Sequence, residues 1–129
     1  MAFKFLSRRL VEQMHAMQID RFGGLAGLGD EGSLESALGR PVDRANYGCD
    51  DIIELAAAYL FCLARNHAFL DGNKRIAVVS CGVFLLRHGY AIETTDARLY
   101  TFVMGVAAGE IDEDGATRFL RDHTIPLTP

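Results

Sequence analysis

The chain has 129 residues, half of them hydrophobic, with a formal net charge of −4, three cysteines and no tryptophan. That length suits one domain, residues 1–129, able to bury a core without staples, and the negative balance excludes direct nucleic-acid binding through a basic surface of its own. The longest apolar run, Ile76–Leu86, is too short for a bilayer core of about 30 Å, and Met1–Arg9 carries charges but no long apolar stretch, so neither a membrane span nor a signal peptide is expected.

Leu6, Leu10, Met14 and Met17 recur at helical spacing and predict a first helix from about Ser7 to Arg21. Phe22–Asp30 reads as a loop, and Asp30 as the cap of a short second helix over Glu31–Leu38. Gly39–Asp50 holds Pro41 and Gly48 and reads as a loop or short extended flap. Asp50 is placed to cap a third helix, Asp51–Asn66, apolar over most of its circumference. A fourth helix opens near Asn73 and runs to His88, with Gly89 as its stop. Its Ile76–Leu86 stretch is apolar nearly all round, so the third and fourth helices should form a central buried pair. Tyr90–Thr95 hints at a strand. Leu99, Phe102, Val103 and Val106 mark a fifth helix, and Phe119 and Leu120 a sixth after Asp112–Asp114. The expected fold class is all-α: about six helices around a central pair, with a short β flap. Cys49, Cys62 and Cys81 are odd in number and lack CxxC spacing, which suits reduced thiols in a cytoplasmic protein.

Between the two central helices lies His67-Ala68-Phe69-Leu70-Asp71-Gly72-Asn73-Lys74-Arg75. Polar groups this dense between greasy helices need partners or a ligand, because desolvating them alone is costly. The first turn of a helix leaves N–H groups unpaired and attracts anions, phosphates above all. Gly72 lets backbone pass close to a ligand, and Lys74 and Arg75 add two cations. Lys74 is one of only two lysines, against eleven arginines. Asp71 reads either as a Mg²⁺ ligand or as the helix cap, and the two roles are compatible. His67 reads as a general base or as a helix-terminal histidine bonding a carbonyl. A metal pair of His67 and Asp71 is disfavoured by Gly72, which interrupts any continuous helix. Phe69 is expected to anchor the loop in the core. Arg65 suits either the phosphates or the dipole of the helix it ends.

The nine-residue run resembles the signature loop of the Fic/Doc superfamily: histidine, any residue, phenylalanine, any residue, an acid, glycine or alanine, asparagine, glycine or lysine, arginine. Every defined position is filled. Lys74, in place of glycine, and Val78, in place of a second arginine, resemble the Doc branch. Asp20–Leu28, Ala64–His67 and Gly105–Ile111 also resemble Doc segments, in the same order, so the likeness covers roughly residues 8–121. Ile76 and Val79 depart from the Doc pattern, which bears on nucleotide affinity and choice.

The resemblance implies a compact Fic-type helical bundle and a toxin of a toxin–antitoxin module. It implies a kinase that transfers the γ-phosphate of ATP to a threonine or serine hydroxyl of a translation factor, elongation factor Tu, and so arrests translation. His67 would be the base and Asp71 the Mg²⁺ ligand. Gly72, Asn73, Lys74 and Arg75 would cradle the triphosphate, with Arg65 assisting, and the segment Pro41–Gly48 would be the flap that aligns the target peptide. No Ser or Thr has a glutamate four residues on, so the inhibitory helix of many Fic proteins has no counterpart here. The implied restraint is a separate Phd-like antitoxin whose C-terminal segment folds as a helix in a groove. The rival readings are a Fic-type AMP transferase and a catalytically silent binding protein.

Overall fold

A computed structural model describes residues 2–127; Met1, Thr128 and Pro129, the ends of the expected 1–129 domain, lie outside the described residues. The elements are α1 (Arg8–Phe22), α2 (Glu31–Asn46), α3 (Ile52–Arg65), α4 (Asn73–Arg87), β1 (Tyr90–Ile92), α5 (Asp96–Ala107), α6 (Glu113–Asp122) and β2 (Thr124–Pro126). The all-α expectation holds.

α3 is the axis. Leu55 to Leu60, Leu63 and Ala64 are all buried, and α2, α4, α5 and α6 pack around it. Four of those buried residues are alanines, whose small side chains let neighbouring helices approach closely on several sides at once. α4 is its principal partner, burying Ile76, Ala77, Cys81, Phe84 and Leu85. The expected central pair is therefore present, but α4 is not covered all round. Leu86 is 55% exposed, and Val78 and Val79 are only half-buried.

Five helices begin at a side-chain cap: Ser7, Asp30, Asp51, Thr95 and Asp112. Each such cap contributes about 1 kcal/mol. Asp30 is the expected cap of α2. The cap of α3 is Asp51, one residue beyond the expected Asp50: its carboxylate accepts from the Ile53 amide and also pairs with Arg121 at 2.6 Å. α4 starts on Gly72 with no side-chain cap.

The expected flap over Pro41–Gly48 is overturned. α2 continues through Pro41 to Asn46. Leu34, Ala37, Leu38 and Pro41 form one buried stripe at helical spacing. An interior proline costs a helix roughly 3 kcal/mol. Here the ring is fully buried in the core, and the turn beyond it is tied down by ion pairs. Arg44 of that turn bonds Glu113 of α6 and lies 3.1 Å from Glu54 of α3, and Arg40 lies 3.2 Å from Glu113. Burial and these pairs carry the helix past its breaker.

β1 lies within the expected strand segment. Its partner β2 was not legible; the two pair antiparallel, Ala91 opposite Ile125. The N-terminal arm crosses the α3–α4 pair. The Leu6 amide donates to the buried Tyr59 hydroxyl at 2.9 Å, and the Lys4 amide donates to His88 Nε2 at 3.0 Å. His88 Nδ1 then donates to the Phe84 carbonyl at 2.7 Å, which fixes its tautomer. The three cysteines are free; burial pushes the Cys62 thiol up to about 11 and that of Cys81 up to about 12. Among the described residues no helix is long and apolar enough to cross a membrane.

Tyr59→Phe strands the buried Leu6 amide without an acceptor. We expect a loss of about 1–3 kcal/mol, seen as a lower urea midpoint with an unchanged slope.

Candidate active site

The signature run spans the short connection between α3 and α4, and each residue from Ala68 to Gly72 has at least one backbone group held by a hydrogen bond. The Ala68 carbonyl accepts from the Gly29 and Asp30 amides at 2.8 and 3.0 Å. The Leu70 amide donates to the Gly27 carbonyl at 3.1 Å, and Leu28 and Phe69 form an antiparallel bridge. The extended segment beside this loop is thus the stretch between α1 and α2, not Pro41–Gly48. Phe69 is 4% exposed, the expected core anchor.

Asn73 reaches back across the turn. Its Oδ1 accepts from the Phe69 amide at 3.0 Å, and its Nδ2 donates to the Phe69 carbonyl at 2.9 Å. Both ends of the side-chain amide are engaged with the loop, so the group Asn73 presents to an incoming anion is its backbone N–H. The amides of Asn73, Lys74 and Arg75 meet no acceptor among the described residues, as the first turn of an uncapped helix dictates.

Asp71 is not the helix cap. Its Oδ2 accepts from the Leu25 amide at 3.2 Å and its Oδ1 from the Gly72 amide at 2.8 Å. These two bonds, led by that from Leu25, hold its carboxyl below the usual carboxylate range, helped by Arg75 and His15 nearby. The close approach of Leu25 requires Gly24. Gly24 has φ +116°, and a Cβ there would lie 2.7 Å from Asp71 Oδ2.

His67 is exposed, and its ring has no hydrogen-bond partner among the described residues, so it does not bond a helix-end carbonyl. Its backbone sits at φ +52°, the left-handed region, which costs a non-glycine residue about 1–2 kcal/mol. The bonded Ala68 carbonyl on its C-terminal side holds it in that shape.

The cations differ in placement. Lys74 and Arg75 are exposed and in no ion pair among the described residues; the ion pairs of Arg8, Arg40, Arg44 and Arg121 lie elsewhere. The Arg75 guanidinium lies 5.2 Å from the centroid of the Phe22 ring, and that of Arg21 5.4 Å from the same ring. Two cations beside one exposed ring raise the positive potential at the loop. Arg65 turns elsewhere, over the Phe61 ring at 5.2 Å and against Gly109. It does not line the cavity described next.

That cavity, about 430 Å³, opens beside the loop. One wall is Asp71 to Arg75 with Val78 and Val79; the other is the α5 face bearing Asp96, Leu99, Tyr100, Val103 and Met104. The space is polar and cationic at the loop and mostly apolar toward α5, apart from the Asp96 carboxylate and the Tyr100 hydroxyl. A site of this kind takes an anion at one end and an apolar or aromatic group at the other.

Sequence reasoning missed three parts. The α5 wall reads in sequence only as an amphipathic helix. The segment before α2 lies in the Asp20–Leu28 likeness, but the sequence alone does not show its contact with the signature run; its glycines were the signal for close backbone approach. His15 was not singled out. It is 3% exposed and stacks on the Phe69 ring at 3.8 Å, and its Nε2 lies 2.7 Å from the Asp71 carbonyl oxygen. A histidine in the apolar stripe Val11–His15–Ile19 was the available sign.

Comparison with known proteins places the chain in a family. A family model described as the Fic/DOC family matches residues 5–85. The chain is 38% identical over 109 residues to "Protein kinase doc" of Escherichia phage P1, covering 84% of this chain and 86% of that protein. It is 45% identical over 71 residues to "Toxin Doc" of Mycolicibacterium smegmatis, covering 53% of this chain and 54% of that protein. The chain belongs to the Fic/DOC family. Within that family its similarity extends to these two Doc proteins, and the loop at His67–Arg75 is the candidate active site.

The depressed Asp71 pKa has a consequence for stability. A carboxyl with a folded pKa below its unfolded value stabilises the fold above the unfolded pKa, and that contribution is lost as pH falls through the folded one. Melting curves should therefore show the wild type above Asp71→Asn at pH values above about 4, with the gap closing in stronger acid. A gap that is constant with pH would mean the carboxylate is not favoured by Leu25 and Gly72.

Proposed function

We propose that this protein is a Doc-like toxin kinase that transfers the γ-phosphate of ATP to a threonine or serine hydroxyl of a translation factor, elongation factor Tu being the expected target. The observation that carries the reading is the set of donors at the start of α4 that meet no acceptor among the described residues. Three amides, Lys74 and Arg75 face a cavity whose far wall is mostly apolar, with Asp96 its one carboxylate. That arrangement suits a nucleoside polyphosphate with its phosphates at the loop. The similarity to a protein named as a kinase supports the transfer chemistry.

Asp71 fits a Mg²⁺ ligand. Its carboxylate is exposed, favoured in its charged form, and oriented by two amides. A Mg²⁺ bound with phosphates typically takes one or two protein carboxylates, the rest of its shell being phosphate and water oxygens. The ion would neutralise phosphate charge there. His67 supplies the base. Its free, exposed imidazole takes the proton of the target hydroxyl as that oxygen bonds to the γ-phosphorus and the bond to the β-bridging oxygen breaks, releasing ADP. Lys74, Arg75 and the α4 amides hold the phosphates in line, so catalysis is mainly positioning and charge stabilisation.

In this reading the chain is one half of a toxin–antitoxin module, and the cognate antitoxin is Phd-like. The relative named as a toxin supports that placement. The site is open to solvent, so restraint falls to a separate protein.

Purified protein incubated with labelled ATP and a cell lysate tests the chemistry. γ-Labelled ATP should mark a protein the size of elongation factor Tu, and α-labelled ATP should mark nothing. Transfer of α-label would replace the kinase by an AMP transferase. His67→Ala should slow γ-transfer by about 10²–10⁴-fold while leaving the melting temperature unchanged. A fully active His67→Ala would remove the base from the mechanism. For the module, the chain alone should arrest growth, and co-expression of a small partner encoded beside it should relieve the arrest and raise the melting temperature through mass action.

A further inference from the structure

The peptide unit joining Asp71 to Gly72 is gripped from both sides. Its N–H, on Gly72, donates to Asp71 Oδ1 at 2.8 Å. Its carbonyl oxygen, on Asp71, lies 2.7 Å from Nε2 of the buried His15. A carbonyl only accepts, so His15 must carry its proton on Nε2. The ring is itself immobilised, lying 12° from parallel to Phe69, the core anchor of the same loop. His15 also lies beneath Gly72, where a Cβ would stand 3.6 Å from its Nε2.

This peptide needs such a grip because Gly72 leaves it free to turn over. Flipping the 71–72 peptide mainly changes ψ of Asp71 and φ of Gly72, and glycine accepts φ of either sign with little cost. In the observed state the carbonyl points inward at His15, and the Gly72 N–H orients the Asp71 carboxylate. In the flipped state the N–H would leave that carboxylate, and the carbonyl dipole would point its negative end toward it. Nothing in the covalent structure selects the observed state. A buried donor aimed at the inward carbonyl does, because turning that carbonyl away strands the His15 N–H without a partner.

We propose that His15 is a positioning residue of the active site: by holding the Asp71 carbonyl it fixes the 71–72 peptide, and with it the Asp71 carboxylate and the start of the α4 anion site. It touches no substrate. The stacking on Phe69 and the bond to Asp71 make separable contributions, and the positioning role belongs to the bond. The link to phosphate rests on the kinase reading above, whereas the link to the peptide stands on geometry alone.

Two variants of the full chain separate these contributions. His15→Phe keeps the ring stack and removes the donor. His15→Gln removes the ring and keeps an N–H donor at similar reach. The first readout needs no ligand: hydrogen exchange at the Gly72 and Leu25 amides, both of which donate to the Asp71 carboxylate. The second is calorimetric binding of inorganic tripolyphosphate with Mg²⁺. In His15→Phe both amides should lose protection, and binding should weaken about 10–100-fold, the usual size for losing the partner that orients a metal or anion ligand. His15→Gln should retain protection and recover at least part of the binding.

Amides as protected in folded His15→Phe as in the wild type would overturn the proposal, whatever the binding. Should His15→Phe fail to fold, His15→Gln decides: loss of protection at Gly72 and Leu25 in that folded, donor-bearing variant would overturn it as well. If the wild type binds no tripolyphosphate while His15→Phe still frees the two amides, the positioning role stands and the kinase reading falls.

Discussion

The site depends on a short loop whose shape is imposed by hydrogen bonds reaching it from outside. Between Ala68 and Asn73 the backbone could take many forms, and Gly72 removes even the usual steric preference. Ala68, Phe69, Leu70, Asp71 and Gly72 each have a backbone group bonded to a fixed partner on α1, on α4, within the loop or in the segment before α2. Each bond contributes about 1 kcal/mol alone, but a buried group left unpaired costs more, so the set acts together. The outcome is a helix that begins without a side-chain cap. A conventional cap would have occupied the very amides that an anion needs.

The rest of the fold serves that loop. The alanine-rich α3 draws its neighbours close and brings α4 alongside. α1 delivers His15 and Ile19 beneath the loop and ends in Phe22, whose ring lies near Arg75. α5 supplies the far wall of the cavity. Where the architecture needs ion pairs it forms them away from the loop, as Arg44 does with Glu113 and Glu54, and leaves Lys74 and Arg75 without carboxylate partners among the described residues. Charge that has no structural partner is available for a ligand.

His67 and Asp71 illustrate two ways of preparing a side chain. Asp71 is held by donors that favour its charge, so its direction and its ionisation are set together. His67 is the reverse: its backbone is constrained in the left-handed region while its ring makes no hydrogen bond among the described residues. In the proposed mechanism a base that meets a hydroxyl on another macromolecule has to remain accessible, and rigidity in the backbone with freedom in the ring satisfies both needs.

The local features were legible in the sequence. Helical periodicity and capping residues marked six helices; the polar run marked the junction of the central two, and Phe69 its anchor, because these properties depend on neighbours a few residues apart. The flap reading fails because Pro41 is a local breaker, and only the burial of its ring, with Arg44 reaching Glu113 some seventy positions away, keeps α2 helical. β2 has too few residues to show a period, and only its pairing with β1 makes it a strand. The tertiary structure alone decided that Arg65 turns toward Phe61, that Asn73 closes the loop, that the segment before α2 pairs with the loop through the Leu28–Phe69 bridge, and that α5 forms a wall. The sequence specifies which groups exist and the period at which they recur. Which of them meet is set by how the helices pack, since a cavity and a cross-chain hydrogen bond belong to two distant segments at once.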